Sequence, residues 1–455
     1  MDIDDSIEAL RQRSLEVDCP TMELKQRKDN GEVCQGSGYI KQGPDGRLTY
    51  KLYVGTSLNS GPFRQLEIYS KVRPGKLFED EDYYDLTATT IEGTIWTASR
   101  LFPSFSSDVE ANTKISYGQL ETIRAELPNH NRNYYQRLHF FEELELPLHL
   151  MSETDRNGHK FYTLDRSEFD IGELKFEVRT RKGSGDTVME VTHDNSLPAS
   201  FYLRAQEALQ FLTGKTVAWR ARVEVSPDAF VLELTSPFRK ARKTSLKPPI
   251  SQGAAEFRAH GWRLFGCFLA YVTAQTHGTQ WNPIAYHLHN ARESTANSID
   301  AGAVGVSVTL EAIVSLAATK HEEDVLERIE AFQKHMHDHL SQQTEFSGLT
   351  TRLDVMLAQW SKKRPQDTLH ELAERGFIQK DYIKSWTDLR NRHVHPTLAD
   401  LEPPSPATYQ RVLNNAYRVE VLIYQIIFHL LGYKGPFTDY GAESFPIKNY
   451  PVAVA

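Results

Sequence analysis

Apolar and polar residues alternate along most of the first half of the chain. In RLTYKLYV, which follows the turn sequence GPDG, Leu48, Tyr50, Leu52 and Val54 fall on one side. ELKFEVRTRKGSGDTVMEV and VAWRARVEV repeat the alternation, the former around a Gly-Ser-Gly turn. A period of two residues is typical of half-buried strands joined by hairpins. We therefore predict an antiparallel β-rich domain over residues 1–236, a sandwich or a partly closed barrel of one lobe or two.

One helix is predicted within this β-rich region. Ser200 can cap its start and Gly214 can end it. The apolar residues between them fall on one helical stripe: Phe201, Ala205, Ala208, Leu209 and Leu212.

From about residue 251 the period changes to 3.6. AVGVSVTLEAIVSLAATK is apolar nearly all round, as is typical of the central helix of a bundle. KDYIKSWTDLRNRH has Ile383, Trp386 and Leu389 on one side, and a long helix beginning at SPATYQ is predicted to end at Gly432. Residues 251–455 are therefore predicted to form an α-helical bundle. The predicted fold class is α+β and multidomain.

Residues 237–250, within SPFRKARKTSLKPP and the residue that follows it, separate the two regions. The stretch carries five basic residues and ends in two prolines, which indicates a linker. Two interpretations stay open: a solvated connector, or a basic strip that lies against RNA phosphates.

Composition limits the class of protein. A chain of 455 residues is expected to form two or three domains. The net charge of −8 argues against a general nucleic-acid coat but leaves room for a local basic cleft. No apolar run approaches the roughly 18 residues of a membrane span, and the acidic start is unlike a secretory signal. Three cysteines without metal-ligand spacing fit a reducing cytoplasm, where we expect the protein to reside.

A histidine cluster, KHMHDHL, is a candidate metal site. His335 and His339 share a helical face, but His337 points away and no HExxH glutamate is present. A solvated helix face is the simpler interpretation, so we predict no metal and no cofactor.

The strongest chemical signal is DLRNRHVHP, residues 388–396. Arginine followed directly by asparagine, with a histidine after four to six intervening residues, occurs twice, in RNYYQRLH (132–139) and in RNRHVH (390–395). The first lies in the β-rich half. Only the second ends one predicted bundle helix and precedes another, so its context favours a site there.

The local physical chemistry suits a phosphate site. Arg390 borders the apolar face that carries Trp386, so its guanidinium is partly desolvated and suited to gripping a phosphate. Pro396 disfavours helical geometry at His395, which can then turn towards Arg390. Histidine has an ordinary pKa of about 6.5 and can transfer protons near neutrality.

Three further residues of the stretch have predicted roles. Asn391 can orient either neighbour, and His393, on the helical side of Arg390, is an alternative base. Arg392 and His393 are expected to contact RNA. A simpler alternative is that the basic residues only cap a helix end, where positive charge complements the helix dipole.

An RN-x-x-x-H pattern at a helix end in a C-terminal bundle resembles the HEPN superfamily. The β-rich front joined to this bundle most resembles the ApeA-like branch of anti-phage HEPN proteins. The resemblance implies a metal-independent endoribonuclease that works as a dimer, with two motifs facing each other in one cleft. Arg390, Asn391 and His395 then match the catalytic motif. Glu311, in VTLEAIV, resembles the acidic residue that many members project towards it, or it pairs with a structural arginine.

These expectations define a leading function and two alternatives. The leading one is a cytoplasmic RNase effector of anti-phage defence that forms a homodimer through its helical bundle. It would cut host tRNA or another cellular RNA, and its β-rich domain would sense a phage-derived trigger or restrain the nuclease. The alternatives are a non-catalytic RNA-binding or assembly protein, and the target of a partner nucleotidyltransferase.

Overall fold

The chain divides into two compact units. One comprises Met1–Tyr202 and Val217–Ala241, and the other comprises Leu203–Thr216 and Arg242–Ala455. The computed structural model describes residues 3–58, 77–108, 113–128, 134–156, 159–181, 185–198, 200–227, 229–237, 245–276, 278–318, 323–341, 352, 355–356, 360, 363–393 and 405–452.

The described part of the first unit contains the α-helix α1 (Ile3–Arg11), a short 3₁₀ helix (Asp80–Asp82) and a 15-stranded sheet in which the described pairs are antiparallel. Its strands are β1 (Glu16–Gln26), β2 (Val33–Gln42), β3 (Leu48–Leu58), β4 (Tyr84–Thr89), β5 (Ile95–Leu101), β6 (Ser104–Asp108), β7 (Thr113–Leu120), β8 (Thr122–Pro128), β9 (Tyr134–Phe140), β10 (Leu150–Arg156), β11 (His159–Ile171), β12 (Leu174–Arg181), β13 (Asp186–His193), β14 (Ala221–Val225) and β15 (Ala229–Thr235). Their spatial order is β10-β11-β12-β13-β9-β14-β15-β8-β5-β4-β1-β2-β3-β7-β6.

Part of this sheet curls back on itself. β7 and β8 are far apart in the strand order, yet only Glu121 separates them in the chain. Ser236 ties the same end together: its hydroxyl donates to the Leu120 carbonyl at 2.6 Å and accepts from the Leu48 amide at 2.8 Å. The seven strands β8-β5-β4-β1-β2-β3-β7, in spatial order, therefore form a partly closed barrel. This is one of the two architectures that the alternation predicted.

The predicted helix within the β-rich region is present as α2 (Phe201–Thr213), but it packs elsewhere than expected. From Leu203 onwards it belongs to the helical unit, where the Phe211 ring stacks on that of Phe268 at 4.3 Å. The compact units therefore interleave along the chain, whereas the predicted domains meet at a single division after residue 236. Gly214 ends the helix with φ +68°, and a Cβ there would lie 2.5 Å from the Leu246 carbonyl oxygen.

The second unit is mainly helical, as predicted, so the α+β multidomain class is confirmed. Besides α2, its helices are α3 (Ala255–Gln275), α4 (Pro283–Thr295), α5 (Ile299–Ala317), α6 (Glu323–Ser341), α7 (Pro365–Glu374), α8 (Lys380–His393) and α9 (Pro406–Leu431). Gly432 ends α9 with φ +63°, and an unpredicted hairpin follows, β16 (Gly435–Thr438) with β17 (Ile447–Tyr450).

Helix α5 is the core helix that its composition predicted. Gly305 allows α4 to approach closely, since a Cβ there would lie 1.8 Å from the Ser294 hydroxyl. Within the described ranges α5 is the one helix long and apolar enough to cross a membrane, but it buries eight residues inside the bundle, as the core helix of a soluble protein does.

The end of the predicted linker, residues 237–250, packs against the helices. Leu246 and Ile250 are buried, and the Tyr424 hydroxyl donates to the Lys247 carbonyl, so 245–250 packs into the helical unit. Two isolated apolar residues among prolines and lysines give no periodic signal, which is why the sequence pattern missed this packing. Residues 238–244, with most of the predicted basic strip, lie outside the described residues.

Candidate functional site

Helix α8 carries the described part of the motif, and its sequence explains its position. Ile383, Trp386 and Leu389 are buried, as the 3.6-residue period predicted. Asp381 lies in the first turn and Arg390 in the last, where their charges complement the helix dipole. The apolar face therefore holds the helix in the bundle while its last turn carries the polar groups.

A buried polar cluster anchors the start of α8. The Asp439 carboxylate accepts hydrogen bonds from the Tyr382 hydroxyl at 2.8 Å, the Gln379 amide at 3.1 Å and the Lys448 ammonium at 2.7 Å. Burial alone would raise the pKa of Asp439, but these three donors outweigh it and lower the pKa. The sequence pattern missed Asp439, because it lies beyond the last predicted helix.

Arg390 is held by Glu311 of α5. Its Nε donates to Glu311 Oε1 at 2.5 Å, and the two side chains are 38% and 33% exposed. Within the part of the chain that the structure describes, this is the only hydrogen bond that the Arg390 side chain donates. Its terminal NH₂ groups are thus left for a ligand such as a phosphate, which arginine can bind with two parallel hydrogen bonds.

His393 lies next to a second acidic residue of α5. Its Nδ1 is 3.5 Å from Asp300 Oδ1, and its side chain is only 8% exposed. The Asp300 carboxylate therefore lies within ion-pairing distance of the His393 ring. The structure thus leaves little of His393 open to RNA.

One side of α5 supplies both acidic partners. Asp300, Ser307 and Glu311 are spaced by seven and four residues, which places them on one stripe of a helix. Asp300 and Glu311 border the last turn of α8 through their contacts with His393 and Arg390. The polar stripe of an otherwise apolar helix is therefore turned towards the motif.

The remaining motif residues differ in how far the structure describes them. Asn391 is exposed and Arg392 is partly exposed at the end of α8. His395 and Pro396 lie outside the described residues, so the predicted turn of His395 towards Arg390 stays a prediction.

The competing motif in the β-rich unit is described only in part. His139 of β9 is buried, and burial lowers its pKa to about 4, so the ring is neutral and enclosed near pH 7. Arg132 lies outside the described residues. The preference for the motif in α8 rests on this difference as well as on sequence context.

The histidine cluster KHMHDHL lies on the surface of α6. His335 and His339 are exposed on α6. Among the residues described, no group of three or more His, Cys, Asp or Glu side chains is arranged to hold a metal ion.

A second surface, in the β-rich unit, combines aromatic and basic side chains. The strand register places Lys51 of β3 opposite Tyr39 of β2 on one side and Tyr117 of β7 on the other. Tyr53 lies two residues further along β3, and the Lys51 ammonium is 4.9 Å from its ring centre. Tyr53 and Tyr117 are 45% and 47% exposed. We call Tyr39, Lys51, Tyr53 and Tyr117 the tyrosine face; it borders a cleft of about 1050 Å³ that Arg100 also lines.

No family model, curated protein or solved structure matches this chain. The resemblance to HEPN proteins therefore rests on the residues of the motif and on their context in the fold.

Proposed function

We propose that the protein is a metal-independent endoribonuclease that acts as a cytoplasmic effector of anti-phage defence. The observation that carries the proposal is the Arg390–Glu311 pair: an accessible arginine is held through Nε, while its terminal groups have no partner among the described residues. Arg390 lies at the end of α8, directly before Asn391 and five residues before His395. The motif and its acidic support together favour phosphodiester chemistry over a simple helix cap.

Arg390 would act on the charge of the reacting phosphate. Its terminal NH₂ groups can donate to two phosphate oxygens, and this interaction strengthens as negative charge grows on the phosphorane. Glu311 acts as a positioning residue, because it restricts the rotamers of Arg390 without needing to contact RNA. Asp300 has the same function for His393, which makes His393 a support for the site as well as the alternative base.

The proposed reaction needs one base and one acid. His395 would take the proton from a ribose 2′-hydroxyl, and the 2′-oxygen would form a bond to the adjacent phosphorus. The bond from phosphorus to the 5′-oxygen then breaks, and a second histidine protonates that oxygen. The products are a 2′,3′-cyclic phosphate and a free 5′-hydroxyl. A homodimer that brings two α8 ends together would supply both histidines, in keeping with the HEPN resemblance.

The β-rich unit would recognise the trigger or restrain the nuclease. An RNase that was always active would harm its host, so a separate regulatory unit is physically reasonable. The proposed RNA substrate is host tRNA or another cellular RNA. Removing the whole front half would not test this regulation cleanly, because α2 belongs to the helical unit.

A single substitution tests the activity. His395→Ala should reduce RNA cleavage by about 10²–10⁴-fold, the usual cost of losing a general acid–base group. His339→Ala, which removes an exposed histidine of α6, is the matched control and should cleave normally. An undiminished rate with purified, folded His395→Ala protein would refute the assignment. DNA should not be cut, because it lacks the attacking hydroxyl.

The alternative function, a non-catalytic RNA-binding or assembly protein, is favoured by the tyrosine face. Exposed aromatic rings next to a lysine can stack with bases and contact phosphates without cleaving them. Binding that persists without cleavage, is unaffected by His395→Ala and is lost in Tyr117→Ala would favour this alternative. Cleavage that depends on His395 would exclude it.

A further inference from the structure

A small cavity of about 280 Å³ lies within the helical unit, apart from the motif. It is bordered by the segment 245–247, the first two turns of α5 and the middle of α9. Most of its wall is apolar, including Leu246, Ala303, Val306 and Leu413. An apolar cavity of about 150 Å³ is enough to bind benzene, so a cavity of this volume can hold a molecule of about ten heavy atoms.

One wall carries a buried carboxylate with an unused oxygen. Glu420 is 6% exposed, and its Oε2 accepts a hydrogen bond from the Lys247 amide at 3.1 Å. Its Oε1 has no hydrogen-bond partner among the residues that the structure describes. Burial raises the pKa of Glu420 to about 7, because the backbone hydrogen bond and the charge of Lys247 offset only part of the cost of keeping a carboxylate away from water.

The cavity also has a positive side. Lys247 lines it, with its ammonium 5.4 Å from the ring centre of Tyr417. Helix α5 begins there: Ser298 caps it by accepting from the Ala301 amide at 3.0 Å, and Ile299 lines the cavity. The first amides of a helix have no intrahelical acceptor, and the helix dipole makes this end attractive to anions.

We propose that this cavity binds a small apolar α-amino acid. The ligand's ammonium would donate to Glu420 Oε1, and its carboxylate would lie near Lys247 and the first turn of α5. Its side chain would pack against the apolar wall. A zwitterion satisfies both polar sides at once, whereas an amine or a carboxylic acid alone leaves one of them unpaired.

The position of the cavity gives binding a route to the motif. Ile299 borders the cavity, and the next residue, Asp300, is the one beside His393. A ligand in the cavity would therefore contact the same helical turn that orients His393. The binding claim itself does not depend on the nuclease activity and can be tested without it.

The full-length protein should bind an amino acid more tightly than two matched compounds, one that lacks the ammonium group and one that lacks the carboxylate. We would measure binding of L-leucine, 4-methylpentanoate and isoamylamine by titration calorimetry. Each matched compound lacks one charged hydrogen bond, worth about 1.5–3 kcal/mol, so it should bind roughly 10- to 100-fold more weakly than leucine. Absence of leucine binding, or equal binding of either matched compound, would overturn the proposal.

Substitutions locate the site. Glu420→Gln keeps an acceptor for the Lys247 amide but removes the charge, and it should weaken leucine binding by at least about 10-fold. Ala416→Leu should also weaken binding, because Ala416 lines the cavity and leucine would fill part of it. Glu443→Gln, at an exposed position, is the control. Full leucine binding in a folded Glu420→Gln or Ala416→Leu protein would contradict the assignment.

Discussion

Two arginines of the helical unit show what burial does to a charge. Arg292 of α4 is 1% exposed, and its Nη2 donates to the side-chain oxygen of Gln210 on α2 at 2.6 Å. Burial lowers its pKa to about 10. Arg390 of α8 is 38% exposed and is held through one nitrogen by Glu311. Both are arginines on amphipathic helices, and the sequence pattern alone does not distinguish them.

This difference in exposure distinguishes a charge that serves the fold from a charge that a ligand can reach. Arg292 is enclosed where α2 packs against the bundle, so its hydrogen bonds serve the fold. The Arg390 side chain is partly exposed, so keeping its charge costs little desolvation free energy. Glu311 binds its Nε and restricts its orientation, but the terminal NH₂ groups stay accessible. Removing the hydrogen-bond partner of Arg292 should therefore lower the stability of the fold, and removing the Arg390 side chain should lower the activity.

The largest expected effect is on catalysis. Arg390→Ala should lower the rate of RNA cleavage by about 10²–10³-fold, the usual cost of losing one donor to a developing oxyanion. Its free energy of unfolding should change by less than about 1 kcal/mol, because exposed ion pairs contribute little. Cleavage rates and chemical denaturation of the same preparation test both parts. Equal loss of stability and activity would mean that Arg390 is structural.

The next largest effect concerns the buried arginine. Gln210→Leu leaves Arg292 without its side-chain acceptor and should lower the free energy of unfolding by about 3 kcal/mol. Urea denaturation with Gln410→Leu, an exposed position on α9, as control measures this. A loss below about 1 kcal/mol would show that Arg292, like Arg390, contributes little to the stability of the fold.

A third prediction concerns pH and Glu420. Burial raises the pKa of Glu420 to about 7, so the folded protein binds a proton that the unfolded chain has already released. The stability from this group is complete below the unfolded pKa and is lost as pH rises through the folded one, about 2 kcal/mol between roughly pH 5 and pH 7. The groups that face Glu420 are Lys247, Tyr424 and Tyr440.

The difference between wild type and Glu420→Gln isolates this contribution. The glutamine variant should lose less stability over that pH range than the wild type does, as followed by thermal unfolding. Parallel pH profiles of the two proteins would show that Glu420 does not titrate there.

The smallest effect is expected for the partner of Arg390. Glu311→Gln keeps an acceptor for Nε, so cleavage should fall by up to about 10-fold through looser positioning, and stability should change by less than about 1 kcal/mol. Glu311→Ala should lose more activity than Glu311→Gln. If both variants cleave at the wild-type rate, Glu311 does not position Arg390.

Local patterns predicted the elements well, because burial on one face imposes a period that the sequence displays. The barrel strands, α2 and the amphipathic face of α8 all follow from such periods. The placement of α2 was not predictable in this way, because an apolar stripe shows that a helix is buried but not against what.

The site was predictable only where chemistry is local. Arg390 and Asn391 form a short motif, and their place at the end of α8 follows from helical spacing. The contact between His393 and Asp300, and the anchoring of α8 by Asp439, join residues far apart in the chain. Such contacts have no local period, and Glu311 was anticipated only through a family resemblance.

Analysis of the RNA ends tests the central claim most directly. RNA incubated with the wild-type protein should yield fragments with a 2′,3′-cyclic phosphate and a 5′-hydroxyl, and the His395→Ala and Arg390→Ala proteins should yield almost none. Fragments with a 5′-phosphate and a 3′-hydroxyl, or the same fragments from the variant proteins, would contradict the account.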